Sequence, residues 1–386
     1  MTAVALRDVS LVYPGGTVAV KDVSLSVADG EFVVLLGPSG CGKSSILRMV
    51  AGLQRPTRGQ VVLGGAPADD VPARSRGVSM VFQDFALYPH LTVADNIGFP
   101  LDVSGCRRDE RTERIAEVAS AFSIGDLLSR RPAELSGGQR QRAAMARAIV
   151  RGPRVLLMDE PLSNLDAVLR SDLRAEIVGL ARSLGLTVLY VTHDQIEAQT
   201  MADRIAVLRN GVLEDEGLPD EVYRNPATMH VAAFLGSPRM SLLKAYVQVV
   251  VDSHVALRIG GQSVDLPWPD MRARAVAHHD GEDIAVGVRT EALRPAPPGS
   301  SGPVLTGQVR HLEHHGHETL VSVDVGACGV EPTGLHELRT GELVLRVRPD
   351  ARPVHGEHVG VHLCLEQLHF FDLASGRRIG PRGRRR

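Results

Sequence analysis

The sequence predicts an α/β phosphate-loop domain on a mostly parallel sheet, with a helical subdomain within it, followed by a smaller all-β region. Three observations carry that prediction. Up to about residue 236, buried apolar runs alternate with amphipathic helical stretches, the pattern of a sheet whose strands are joined by helices. One run, Glu31-Phe32-Val33-Val34-Leu35-Leu36, leads into Gly37-Pro38-Ser39-Gly40-Cys41-Gly42-Lys43-Ser44 and then into Ser45-Ile46-Leu47-Arg48-Met49-Val50-Ala51. That is strand, glycine loop and helix in the order a phosphate site needs. Beyond Gly236 the helical periodicity fades and short alternating stretches take over, as in a small all-β barrel.

The elements follow in chain order. Val4 to Val9 and Val18 to Val27 alternate like half-buried strands, with Asp29-Gly30 as a turn and Tyr13-Pro14-Gly15-Gly16 in the loop between them. Gly59 to Gly65 reads as a strand and turn, and Gly77 to Phe82 as a buried strand ending at Gln83. Residues from about 89 to 151 form the helical subdomain, with few helix breakers between Arg108 and Phe122. Arg154 to Glu160 is a buried strand ending in two carboxylates. Leu165, Leu169, Leu173, Ile177, Leu180 and Leu184 recur at three- and four-residue steps, one face of a helix. Leu186 to Val191 is the next strand, ending near His193. Asn210-Gly211 between Arg204 to Leu208 and Val212-Leu213 is a hairpin signal. In the second region Ala245 to Val251, Val304 to Val309, Thr319 to Val325 and Leu343 to Val347 read as strands, and Pro295 to Pro303 as a loop.

Composition narrows the function classes. The chain has 386 residues, which suits two domains, and its formal net charge of -2 gives no support for general nucleic-acid binding. The four cysteines, Cys41, Cys106, Cys328 and Cys364, form no Cys-x-x-Cys pair. That usage suits a reducing cytosol and argues against a disulfide framework or structural zinc. Arg7 and Asp8 fall too early for a signal peptide. No apolar run approaches the about 18 residues of a membrane span, so a role at a membrane would need other chains to supply the spans. His311, His314, His315 and His317 cluster with Glu313 and Glu318 in a spacing that fits no defined metal site. The chain ends in an arginine-rich tail, Arg377 to Arg386, read as solvated.

The chemistry of the glycine loop follows from its geometry. Glycines let backbone N–H groups turn inward on an anion at a helix N-terminus, which already favours negative charge. Lys43 adds a point charge for the β- and γ-phosphates, and Ser44 offers a hydroxyl to Mg²⁺. The loop by itself says nucleotide. Leu135-Ser136-Gly137-Gly138-Gln139 is the second decisive stretch. Ser136 and Gln139 form a capping-box pattern, and paired glycines at a helix start make an anion site.

With a phosphate loop in the same chain, this pentapeptide resembles the signature of ATP-binding cassette (ABC) ATPases. The rest falls in the family's order. Val155 to Asp159 resembles the Walker B strand, with Asp159 implied to hold Mg²⁺ and Glu160 to orient and deprotonate the attacking water. Ser163-Asn164-Leu165-Asp166 matches the D-loop, and Thr192-His193-Asp194 carries the switch histidine. Gln83 matches the Q-loop, which touches metal and water and senses the membrane partner, and Tyr13 matches the aromatic that stacks on adenine. The resemblance thus implies catalytic roles for Lys43, Gln83, Glu160 and His193, and metal contacts from Ser44, Gln83 and Asp159. It implies ATP contacts from Tyr13, Gly37 to Ser45, and, across a head-to-tail dimer, Ser136, Gly137, Gly138, Gln139 and Asp166. The cofactors implied are ATP and Mg²⁺.

One cassette without fused spans resembles the ATP-binding subunits of bacterial importers. Ala86-Leu87-Tyr88-Pro89-His90-Leu91-Thr92-Val93, Leu157 to Asp166, Val191 to Gln195, Phe234-Leu235-Gly236-Ser237-Pro238 and Gly287-Val288-Arg289-Thr290-Glu291 look like the maltose and glycerol-3-phosphate branch. That branch implies an ATPase domain over residues 1–236 and an OB-type regulatory domain with a basic tail over 237–386. It implies a homodimer or a closely related second ATPase subunit, two polytopic permease subunits, and indirectly an extracytoplasmic solute-binding protein. The place of work implied is peripheral, on the cytoplasmic face of the cell membrane. Polyamine, ferric-ion and phosphonate importers carry similar cassettes, and a soluble ABC ATPase acting on nucleic acid or ribosomes is the reading from another class. The chain departs from its relatives at Glu214-Asp215-Glu216, where glutamines are common, at Thr290, often proline, and at Gln199, often methionine.

Overall fold

The computed structural model describes residues 2–380 apart from 251–252, 269, 298–299, 333–336 and 352. The tail from Pro381 to Arg386 therefore lies outside the described residues, as do Val251 and Pro298-Gly299 of the segments noted above. The chain divides into two compact units, Met1–Pro219 and Asp220–Arg386. The division falls before the composition change after Gly236, because two short helices, Pro219–Arg224 and Met229–Phe234, go with the second unit or straddle its start.

In the first unit, β1 (Thr2–Val12) and β2 (Val18–Ala28) pair antiparallel, and β3 (Phe32–Leu36) leads to the loop and α1 (Lys43–Ala51). β4 (Arg58–Leu63) and β5 (Ala66–Pro67) follow, then β6 (Val78–Val81). α2 (Val93–Val103), α3 (Arg108–Ala121) and α4 (Gly137–Ile149) fill the predicted helical stretch. β7 (Val155–Asp159), α5 (Ala167–Ser183), β8 (Thr187–Thr192), α6 (Gln195–Met201), β9 (Arg204–Arg209) and β10 (Val212–Gly217) complete the unit.

Two sheets result. β2-β1-β4-β5 is four-stranded and antiparallel, and β10-β9-β3-β8-β7-β6 is six-stranded. The second is parallel except for its β9–β10 hairpin. Its inner strands β3, β7 and β8 are buried at every residue, as strands covered on both faces must be, which is why their sequences read as unbroken apolar runs. The hairpin turns at Asn210 and Gly211, at φ 48 and 78, the two positive angles that a two-residue turn of this hand needs.

Helix starts follow from their caps. The Thr92 hydroxyl accepts from Asp95 N at the start of α2, the Asp166 carboxylate from Leu169 N at α5, and Asp194 from Ile196 N and Glu197 N at α6. The capping box of α4 is present as predicted: Ser136 accepts from Gln139 N, and the Gln139 side chain accepts from Ser136 N. The leucine face of α5 is narrower than its spacing suggested. Leu165 precedes the helix, and Leu184 lies past its last residue and is exposed, so Leu173, Ile177 and Ala181 are the helical residues that bury. Phe82 likewise lies outside β6, at the surface.

The second unit is β-rich. Its strands are β11 (Ser241–Val250), β12 (His254–Ile259), β13 (Gln262–Pro267), β14 (Asp283–Val288), β15 (Leu293–Ala296), β16 (Val304–His314), β17 (Thr319–Val330), β18 (Glu337–Val347), β19 (His358–Leu363) and β20 (His369–Asp372). They form one antiparallel ten-stranded system in which β14 joins β11 to β20 and β18 pairs with β17. One core runs through it, from Leu243 and Val247 to Leu363 and Phe370.

Candidate functional site

The site stands at the carboxyl ends of three neighbouring parallel strands. Order β3-β8-β7 puts the loop after β3, the residues after β7 and those after β8 side by side, where open α/β sheets bind ligands. Steric constraint fixes the loop. A side chain at Gly37 would run into the Leu208 carbonyl oxygen of β9, and one at Gly42 into the Ala19 carbonyl oxygen of β2. Gly42 also sits at φ 105 as the cap of α1, and Gly40 at φ 79, angles open to glycine. The Cys41 carbonyl accepts from Gly211 N at 3.0 Å, so the hairpin tip props the loop. Burial pushes the Cys41 thiol above its ordinary pKa.

Lys43 is only 4% exposed, an unusual state for an ammonium group. Its Nζ donates to Gly37 O at 2.8 Å and Pro38 O at 3.0 Å, and lies 3.9 Å from Glu160 Oε1. The next residue, Ser44, donates its hydroxyl to Asp159 Oδ1 at 2.7 Å. Asp159 is 8% exposed, and burial raises its carboxyl pKa against the pull of the Ser44 bond. A hydroxyl and a buried, under-compensated carboxylate make a hard oxygen donor pair that suits Mg²⁺, so the residues present fit that ion.

Glu160 leaves the strand at once, at φ 45, with its N–H on Val191 O at 3.0 Å. A non-glycine residue in that region is held there by its surroundings; Ser163 donates its hydroxyl to the Glu160 carbonyl at 2.8 Å. Glu160 Oε2 lies 2.8 Å from His193 Nδ1. Lys43, Ser44, Asp159, Glu160 and His193 are thus gathered at one place from three strands.

Gln83 follows β6 and is exposed; its carbonyl accepts from Asn164 Nδ2 at 3.1 Å. Tyr13 is half-buried, and its hydroxyl lies 3.1 Å from Ser45 Oγ and donates to Gln54 Oε1 at 3.4 Å. Ser136 to Gln139 are not drawn into this cluster. Their side-chain bonds close on the capping box, while side chains at Gly137 and Gly138 would meet Leu165 Cδ2 at 2.9 Å and Leu169 Cδ2 at 2.8 Å. Asp166 serves its own helix as cap. Gln54 is a neighbour of the site that no motif marked, while Gly211 of the hairpin signal and Asn164 of the D-loop stretch reach it through long-range contacts that spacing could not reveal.

Comparison with known proteins follows the same lines. Residues 20–163 match the ABC transporter family model. The trehalose/maltose import ATP-binding protein MalK of Thermococcus litoralis is 44% identical over 98% of this chain and 100% of its own length. The sulfoquinovosyl glycerol transport ATP-binding protein SmoE of Agrobacterium fabrum is 43% identical over 98% of this chain and 100% of its own. The sn-glycerol-3-phosphate import ATP-binding protein UgpC of Chromobacterium violaceum is 44% identical over 98% of this chain and 96% of its own. Among solved structures, a dimeric ATP-binding cassette in a post-hydrolysis state with ADP and Pi is 33% identical, with a TM-score of 0.52 over 56% of this chain and 98% of its own. Similarity along nearly the whole length, joined to a phosphate loop set against two strand-end carboxylates, shows that the chain belongs to the ABC transporter family, as an ATPase that uses ATP with Mg²⁺.

Proposed function

We propose that this chain is the ATP-hydrolysing subunit of a binding-protein-dependent importer for a carbohydrate or glycerol-phosphate-like solute. The observation that carries the reading is the convergence of Lys43, Ser44, Asp159, Glu160 and His193 at neighbouring strand ends. The solute class rests on relatives named as import proteins for trehalose/maltose and glycerol-3-phosphate.

Phosphoryl transfer to water needs positioning and charge neutralisation more than covalent chemistry. The loop from Gly37 to Ser44 cradles the phosphates with its backbone N–H groups, which Pro38 alone lacks, and Lys43 brings its charge to the β- and γ-phosphates. Ser45 supports the same cradle, and Tyr13 stacks on adenine. Mg²⁺, held by Ser44, Asp159 and Gln83, supplies further positive charge when bound. Glu160 orients the attacking water and takes its proton at the carboxylate. His193 contacts the γ-phosphate, and its present contact with Glu160 keeps that carboxylate in place before ATP arrives.

In this reading Ser136, Gly137, Gly138, Gln139 and Asp166 act in trans. Their side-chain hydrogen bonds close on their own helix starts, which leaves them to a head-to-tail dimer in which one subunit's signature closes on the other's ATP. Hydrolysis is then tied to a large closing motion, and the motion is the output. Residues 1–236 would serve as the ATPase domain with its helical subdomain at about 89–151, and 237–386 as an OB-type regulatory domain. Among the described residues no helix is long and apolar enough to cross a membrane, which accords with a peripheral subunit on the cytoplasmic face. Two polytopic permease subunits would receive the motion, and an extracytoplasmic binding protein would choose the solute.

The test is a pull-down. Glu160→Gln, tagged and held with ATP and Mg²⁺, is purified from solubilised native membranes. Two polytopic subunits and a sugar-type binding protein are expected. Ribosomes or nucleic acid, with no membrane protein, would overturn the importer reading.

A further inference from the structure

The segment just after Gln83 is strained, and one side chain fastens it. Phe85 and Ala86 sit at φ 64 and 48, a region that L side chains enter only under strain. Among the described residues they are the only two consecutive non-glycine residues with positive φ. Phe85 is buried and its N–H closes a turn on Phe82 O at 3.1 Å.

Arg147, in the last turn of α4, reaches across to this pair. Its Nη1 donates to Ala86 O at 2.6 Å and its Nη2 to Phe85 O at 3.0 Å. The guanidinium carbon lies 5.8 Å from the Tyr88 ring centroid, and that of Arg140, on the same helix, 5.9 Å from the Phe85 ring. The far side of the segment is tied by Asn96 of α2, fully buried, which accepts from Tyr88 N at 2.8 Å and donates to Tyr88 O at 3.1 Å. The near side is tied by Asn164, on the Gln83 carbonyl.

We propose that Arg147 is a positioning residue: by clamping Phe85 and Ala86 in the left-handed region it sets where Gln83 stands and binds that setting to α4. The helix that begins at Ser136-Gly137-Gly138 and the loop that begins at Gln83 then move as one body. The planar fork of arginine suits the task, because two N–H groups on different nitrogens hold the two carbonyls at a fixed spacing while the same plane lies over the Tyr88 ring, and the flexible point charge of a lysine offers no such plane. The proposal rests on the reading of Gln83 as a residue that touches metal and water.

The experiment uses the full chain and reads steady-state ATP hydrolysis, affinity for a fluorescent ATP analogue, and melting temperature. Arg147→Ala and Arg147→Lys should each lower kcat by about tenfold to a hundredfold, the range a small misplacement costs. Affinity for the analogue should stay within about twofold, since the loop from Gly37 to Ser44 is untouched. Adding Ala86→Gly to Arg147→Ala should restore most of the lost kcat, because glycine holds φ 48 without a clamp. Ala86→Gly alone should keep kcat and guards against a variant that fails to fold. An unchanged kcat in Arg147→Ala, or a loss that Ala86→Gly leaves in place, would overturn the proposal. Gln83→Ala separates the two readings. If it leaves kcat unchanged while Arg147→Ala lowers it, the reading of Gln83 fails; if both lower kcat and only the Arg147 loss is rescued, both readings stand.

Discussion

Nδ1 of His193 lies 2.8 Å from Oε2 of Glu160, although the two residues stand at the ends of different strands. β7 and β8 run parallel and adjacent, with Asp159 paired to Val191, so the residue after each strand end meets its neighbour. Oε1 of the same carboxylate faces Lys43 at 3.9 Å. A carboxylate held from both sides is held in one rotamer, as the general base of the proposed mechanism needs.

Glu160→Gln should therefore bind ATP and fail to turn it over. The amide keeps the shape and loses the proton acceptor, so kcat should fall by about 10² to 10⁴. Phosphate release and analogue binding, measured on the same preparation, check this. Undiminished turnover would remove Glu160 from the chemistry.

Lys43→Ala should weaken ATP binding. The ammonium is buried and already spends its donors on two loop carbonyls, so it is positioned before ligand arrives. Loss of a charged hydrogen-bond donor to phosphate is worth about 1.5–3 kcal/mol, or roughly ten- to hundredfold in affinity. Titration of a fluorescent ATP analogue reads it directly; unchanged affinity would count against the loop's role.

Gly37→Ala should lower stability more than Gly40→Ala. The first puts a methyl group against the Leu208 carbonyl of a central strand, which cannot give way, whereas the second enters open space and meets only the cost of φ 79. Overpacking of that kind costs about 1–3 kcal/mol, and the left-handed penalty alone about 1–2. Thermal unfolding of the two variants should rank them in that order, and the reverse order would mean that β9 yields.

His369 should make the second unit sensitive to mild acid. It is 7% exposed, and burial, with Arg378, Arg289 and Arg272 nearby, depresses its pKa from 6.5 to about 3. The unfolded chain then binds a proton that the folded chain refuses between those values. Stability is complete above pH 6.5 and falls as pH drops toward 3, by up to about 1.4 kcal/mol per unit. Urea unfolding at pH 7 and pH 5 should show a smaller drop for His369→Gln than for the natural chain; equal drops would sink the idea. The carboxyls of Asp270, Asp324 and Asp372, held below the usual carboxylate range by their hydrogen-bond partners, lose their stabilising contribution only as pH falls below that range.

The strand, loop and helix around Lys43, the capping box at Ser136, the hairpin at Asn210-Gly211 and the order of the motifs could all be read from the residues. These are local matters. Buried parallel strands must be apolar, caps need particular side chains at particular steps, and a two-residue hairpin turn favours asparagine and glycine. The same periodicity overran the ends of α5 and placed Phe82 in a strand, because an apolar residue at the right spacing does not reveal whether the backbone continues.

Which residues meet is settled in the folded chain. No spacing rule places the Gly211 amide on Cys41, the Asn164 amide on Gln83, the Tyr13 hydroxyl beside Ser45, or Arg147 on two strained carbonyls. Each of these contacts joins residues far apart in the chain, and the order of the strands together with the packing of helices on them makes them neighbours. Strand order is set by how whole layers bury their apolar faces, a property of the entire sheet that no short stretch of residues carries.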